Sequence, residues 1–414
     1  MSYSRAHGTG LRVFIDAMNW LFSRGVARTE WVDHNTGSWS YNSAAKDNKY
    51  TLIDMNPLKK ASFNTSASQQ GHIMHGMDFQ VTSNMPLNFL AIMNHNAYEA
   101  EACFRLAYDS VGVNVPGAGT TIGSAASPPV TVLNGTLNPA SGATLAEGVD
   151  FSETEIDVSD GTKFTVGEYI LITYIAAKEV MKVLSIAANT LTVLRGQQGT
   201  GSTAFPSGTG ILRYNVVYPA ENGDTIIIFD EVDNARYWGI EVIPSDGAYH
   251  FIADLTIGAY LIGKYHDFTI APDLSVNHGF IQEGVKTRKT PAGRQLTFAH
   301  NLSNNDSTDE YSPFRSNDDY FRRMIGKEFW NLTWKGDEDT NIYPSDTSTP
   351  SSGSLLGDFI HHVSINFLPF IFCSDNDSTL KGDYLWGILD QDSFETMQKA
   401  WQWCGFKLKI IQKF

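Results

Sequence analysis

The chain is short of the residues that would make it a disulfide scaffold, a membrane protein or a polyanion binder. Only three cysteines occur in 414 residues, Cys103, Cys373 and Cys404, widely spaced and without a C-x-x-C pair. That pattern excludes a disulfide framework and a zinc ribbon, and suits small buried hydrophobes in a reducing cytosol. No apolar run approaches the roughly 18 residues of a spanning helix, so no membrane insertion is expected. Met1 to Gly10 carry no apolar core and do not read as a secretory signal. Basic residues are outnumbered, 30 against 45 acidic, for a formal charge of −15. Nucleic-acid binding without sequence preference needs a basic face that displaces counterions from phosphate, so none is expected. The cluster Lys286, Arg288, Lys289 and Arg294 reads as a solvated strand pair or a subunit contact.

Catalytic signatures are missing too. There is no G-x-S-x-G elbow, P-loop, Rossmann fingerprint or HExxH. Carboxylate pairs such as Asp309-Glu310 and Asp318-Asp319 have no local reason for a raised pKa. The chain is therefore expected not to be an enzyme. His72 and His75 have H-x-x-H spacing, but their neighbours read as a strand, where residues three apart point to opposite faces. His361 and His362 diverge for the same reason. The acidic stretches Asp337 to Asn341 and Asp375 to Asp377 lack the Gly and terminal Glu of an EF-hand loop. Neither a metal nor a cofactor is expected.

What is present is the material of β-sheet. Hydrophobic residues make up 42% and aromatics 12%, enough for real cores, while Ala, Leu, Glu and Lys do not dominate as they would in a helical bundle. Asn88-Phe-Leu-Ala-Ile-Met-Asn94, Ala102 to Tyr108, Thr225 to Phe229, Tyr237 to Ile243 and Phe251 to Leu261 read as short strands bounded by turn residues. Together they suggest an antiparallel sandwich over 1–119 plus 214–270. From Val115 to about Ser152 the composition shifts to Gly, Ala, Ser, Thr, Pro and Asn. A compact strand series follows: Glu155 to Ser159, Tyr169 to Thr173, Glu179 to Ile186 and Thr190 to Leu194, with Asp160-Gly161 as a hairpin turn. Residues 120–213 are thus expected to be a small β domain inserted into a sandwich loop.

Residues 271–414 are expected to form a third β-rich domain. Strands are expected at Gly279 to Gly284, Lys286 to Thr290 and Gln295 to Phe298, with a turn at Pro291 to Gly293, and the end carries the apolar stretch Val363 to Phe372. Helical patterns occupy Asp318 to Ile325 and the neighbourhood of Asp392 to Lys399. A closing strand, Gly405 to Ile411, alternates Phe406, Leu408 and Ile410 with Lys407 and Lys409.

Two patterns resemble known families. Asn88-Phe-Leu-Ala-Ile-Met-Asn-His-Asn96, with Asn234-Ala-Arg-Tyr-Trp-Gly-Ile-Glu-Val242, resembles phage virion proteins whose N-terminal half is a discoidin-like, galactose-binding-type sandwich. Ile156-Asp-Val-Ser-Asp-Gly-Thr-Lys-Phe-Thr-Val-Gly-Glu-Tyr-Ile170, Glu179-Val-Met-Lys-Val183 and Thr192-Val-Leu-Arg-Gly-Gln-Gln-Gly-Thr200 resemble a small β module inserted in phage tail and baseplate proteins. The last third is similar only in layout to tail-tube-like domains of distal and minor tail proteins.

The resemblance implies a structural component of a bacteriophage tail, a distal tail, minor tail or baseplate protein. It would be assembled in the host cytoplasm and present in the virion. Its implied partners are other copies of itself in a three- or six-fold ring, and the tail tube, hub and fibres. Two alternatives are a receptor-facing carbohydrate-binding module and a head–tail connector or capsid decoration protein. Host surface glycan would meet Asn94, His95, Asn96, Arg236 and Trp238, since a sugar site needs an aromatic platform beside planar polar groups. The same Asn-His-Asn residues also suit capping of their own strand end, and Arg236 to Trp238 suit packing. Lys407, Lys409 and Lys413 mark the closing strand as a protected edge that a neighbouring subunit completes.

Overall fold

The computed structural model describes residues 10–23, 27–31, 50–63, 73–79, 86–110, 120–122, 130–137, 141–164, 166, 169–175, 177–197, 201–213, 216–232, 235–244, 251–268, 272, 276–281, 285–299, 327–338, 368–391, 395–401 and 403–413. The fold is mainly β, built from several antiparallel sheets, with a single α-helix among the described residues, Ala17–Ser23. The chain divides into two compact units. One comprises Met1–Trp20, Met55–Leu58 and Leu261–Phe414, the other Leu21–Asp54 and Lys59–Tyr260.

The second unit holds a sandwich. In one layer the strand Leu87–His95 pairs with Gly223–Val232, which pairs with Val130–Leu133. In the other the order is Arg28–Trp31, Ile73–Asp78, Tyr237–Pro244, Ala102–Asp109, Val217–Pro219 and Gly135–Leu137. Aromatic contacts run between the layers: Phe229 lies 5.8 Å from Trp238, and His95 lies 5.1 Å from Phe104. Ile226 and Ile227 are both buried, because this strand is covered on both faces; hence its unbroken apolar run in place of an alternation.

A smaller sheet belongs to the same unit. Its order is Ala143–Thr144, Gly210–Arg213, Tyr169–Tyr174, Ala177–Ala187, Thr190–Gln197 and Glu155–Asp157. A bridge between Leu145 and Val158 joins the two outer strands, so the sheet closes into a small barrel. Ile156, Phe164, Ile170, Ile172, Met181, Val183, Leu191 and Phe205 fill it. The barrel begins later than the expected domain boundary at 120: Thr120–Thr121, Val130–Leu133 and Gly135–Leu137 pair with sandwich strands instead. Asp160-Gly161 is also not a hairpin turn. Asp160 caps a short 3-10 turn by accepting from the Thr162 N–H, and Glu155–Asp157 pairs with Thr190–Gln197. Glycine is needed at 161 because a Cβ there would lie 2.0 Å from the Ala188 carbonyl oxygen.

In the first unit one sheet runs Asn277–Ile281, Lys327–Glu338, Trp403–Gln412, Tyr384–Leu389, Phe370–Cys373, Arg12–Asp16 and Ala259–Asp267. Trp330, Trp334, Phe372, Phe406 and Leu408 form its core, with Trp334 stacked on Phe406 at 4.6 Å. Several expectations are corrected. The N-terminal strand Arg12–Asp16 pairs with Phe370–Cys373 and so belongs with the C-terminal strands. Of the residues expected to be helical near 392–399, 392–394 lie outside the described residues and those from 396 form the strand Thr396–Ala400, hairpinned to Trp403–Gln412. The expected strand from Phe251 to Leu261 is two strands, Leu255–Ile257 and Ala259–Asp267. The helical pattern at Asp318 to Ile325 lies outside the described residues. Val285–Lys289 and Gln295–Ala299 pair as expected around the turn at Pro291 to Gly293.

Candidate functional site

Asn94, His95 and Asn96 end the strand Leu87–His95 and are consumed by the fold. Asn94 takes the left-handed conformation (φ 51°), and its N–H donates to Asp224 Oδ1 at 2.7 Å. His95 is buried. Its Nδ1 accepts from the Ala97 N–H at 3.2 Å, which leaves Nε2–H to donate to Thr225 Oγ1 at 2.9 Å. The Asn96 amide donates to the Asp254 carbonyl at 3.0 Å, and its oxygen accepts from the Thr256 N–H at 2.7 Å. These three residues therefore splice the strand end to two other segments.

Arg236 and Trp238 do similar work elsewhere. Arg236 makes a two-pronged contact with buried Asp78, 2.7 Å to Oδ1 and 3.1 Å to Oδ2, while Arg28 reaches Oδ2 from the other side at 3.1 Å. The hydrogen bond to Asp78 raises the Arg236 pKa beyond its ordinary value. Trp238 is 0% exposed, between Tyr108 at 5.2 Å and Phe229 at 5.8 Å. A sugar cannot stack on it, which corrects its expected role as a platform. Nor do the five residues converge. Asn96 leads into the turn that opens Ala102–Asp109, whereas Tyr237 pairs with Asp109 at that strand's far end. Seven steps of about 3.3 Å separate the two ends, roughly 23 Å.

The lysines fare differently. Trp403–Gln412 is an interior strand, paired with Lys327–Glu338 on one side and with Tyr384–Leu389 and Thr396–Ala400 on the other. Strands of this chain lie on both its sides, so the expected open edge is overturned. Lys413 is half-buried at the strand's end, where its N–H donates to the Trp386 carbonyl at 3.0 Å. Lys407 and Lys409 stay exposed because Phe406, Leu408 and Ile410 take the core face.

These two lysines line a cleft of about 960 Å³ with Asn331, Thr333 and Lys335 from the neighbouring strand and Glu395, Met397 and Lys399 from the hairpin. Four lysines thus face one glutamate in a chain of charge −15. Lys409 is held by Asp390 at 2.6 Å. Among the described residues, no group of three or more His, Cys, Asp or Glu is placed to hold a metal ion. Likewise no described helix is long and apolar enough to cross a membrane. The cleft is lysine-rich, with Glu395 as its acidic lining residue.

Sequence reasoning missed a buried network in the barrel. Glu179, 0% exposed, accepts from Arg195, from the Gly196 N–H at 2.8 Å and from the Thr203 N–H at 2.8 Å. Arg195 Nη1 donates to the carbonyls of Asp150 and Glu153, both at 2.7 Å. Glu179 and Arg195-Gly196, both within the stretches that carry the resemblance, were a signal for it. No protein-family model and no curated protein matches the chain.

Proposed function

We propose that this chain is a structural, non-enzymatic subunit of a bacteriophage virion, at the tail tip or baseplate, in a symmetric ring. One observation carries this. The residues that resemble the inserted phage-tail module build a barrel of their own, and its pattern residues Glu179, Arg195 and Gly196 meet in one buried network. Such a match of motif to internal chemistry favours a true module over a chance run of strand formers. The discoidin-like character of the sandwich and the tail-tube-like character of the first unit belong to the same proposal.

The sugar-binding alternative loses its aromatic platform, because Trp238 is enclosed. Imaging intact particles with antibody to this chain, alongside mass spectrometry of purified virions, tests the assignment. Label confined to the tail tip is the expected result. Label at the neck or over the head would move the chain to a connector or decoration role, and its absence from particles would end the virion proposal.

A further inference from the structure

We propose that the lysine cleft of one subunit receives the acidic loop 147–155 of a second copy of this chain, in a head-to-tail contact. This rests on the ring-subunit proposal above and names the two surfaces that would meet. The cleft presents Lys335, Lys399, Lys407 and Lys409 against Glu395, with Lys409 also paired to Asp390 at 2.6 Å. Trp401, 82% exposed, and Met397, 61% exposed, add apolar surface at the hairpin that borders it. The loop is its counterpart in sign: Glu147, Asp150 and Glu155 are exposed, and Phe151 stands among them in the sequence at 70% exposure. An exposed aromatic on an acidic loop suits a basic cleft with an apolar border.

The loop is also pre-shaped. Asp150 Oδ1 accepts from the N–H groups of Ser152 at 2.6 Å and Glu153 at 2.9 Å, and Glu153 Oε2 accepts from the Asp150 N–H at 3.3 Å. Hydrogen bonds from Ser152 hold the Asp150 carboxyl below its ordinary pKa, so it stays charged. Arg195 fixes the loop carbonyls from beneath. Little conformational entropy is then lost when the loop docks. Because the two patches are different surfaces of one chain, each copy offers a cleft to one neighbour and a loop to the other, the contact type that builds rings or filaments.

The test is sedimentation velocity of the full-length chain over a concentration series, at low and high salt. Three variants are compared: Lys399→Glu with Lys407→Glu, Glu147→Lys with Glu155→Lys, and all four together. Each pair should weaken self-association by about tenfold or more, and the fourfold variant should recover a substantial part of it. Circular dichroism and melting curves like those of the parent chain would show that each variant is folded. Association unchanged by the cleft pair, no recovery in the fourfold variant, or a parent chain that stays monomeric would each overturn the proposal. So would a cleft pair that loses binding to long-chain polyphosphate while self-association persists. Virion imaging fails or succeeds separately: a chain located at the tail tip whose charge swap shows no recovery refutes this contact alone.

Discussion

Glu179 and Arg195 meet in the barrel as a bidentate pair, Nε to Oε1 and Nη2 to Oε2 both at 2.7 Å, with side-chain exposures of 0% and 7%. Gly196 follows at φ 62°, a left-handed conformation that glycine adopts without strain, and its N–H turns onto the same carboxylate. Almost every polar atom of the pair has a partner, which is the condition under which a buried ion pair is tolerated. Glu179→Leu leaves the guanidinium buried without its counter-charge and should cost about 3–5 kcal/mol. Chemical denaturation followed by circular dichroism measures it. A loss under about 1 kcal/mol would mean that the network does not hold the barrel.

Asp78 gives a test of shared support. It is buried and accepts from Arg28 on one flanking strand and from Arg236, which immediately precedes the other. Removing either arginine leaves the other, so Arg28→Ala and Arg236→Ala should each cost about 1 kcal/mol. Removing both takes both arginine charges from a buried carboxylate, and the double variant should lose clearly more than the two singles combined. Strict additivity in urea unfolding would contradict the clamp.

Trp238 separates packing from recognition. Trp238→Ala should destabilise the sandwich by about 3–5 kcal/mol, since an enclosed indole leaves a cavity behind. Any glycan-array signal from the parent chain should survive in the fraction of this variant that remains folded. Loss of such a signal with stability unchanged would restore the sugar-platform role.

How much of this was legible in the sequence varies with the range of the interaction. Thr225 to Phe229 and Tyr237 to Ile243 announce themselves as strands because β-branched and aromatic residues fit a pleated, packed surface. The capping of the strand end by Asn94, His95 and Asn96 was readable too, because short polar side chains there bond local backbone. Pairing across the chain was not. Nothing local in Arg12–Asp16 says that its partners lie at 263–267 and 371–373. The alternation around Lys407 and Lys409 correctly predicts one exposed face, but alternation describes faces and not edges. Whether a strand is interior depends on which other segments arrive beside it. Trp238 shows the same limit, since its enclosure depends on Tyr108 and Phe229.

The last prediction concerns Asp16, which ends the strand Arg12–Asp16 and accepts from the N–H groups of Met18 at 3.0 Å and Asn19 at 3.3 Å. It is only 4% exposed. Burial pushes its pKa up from 3.8 to about 6, against the pull of hydrogen bonds from Asn19, Met18 and Ile262. A folded-state pKa above the unfolded value means that the folded chain holds the proton more tightly. The associated stability is fully present below about pH 4 and is lost as pH rises through 6. A rise of this size corresponds to on the order of 3 kcal/mol. Asp16→Asn keeps an acceptor for the backbone N–H groups and removes the titration. The parent chain's stability, measured by urea unfolding relative to that variant, should therefore fall between pH 4 and 6.5 and level off above pH 7. A difference that stays flat across that window would show that Asp16 ionises in its ordinary range and that its burial is relieved by solvent.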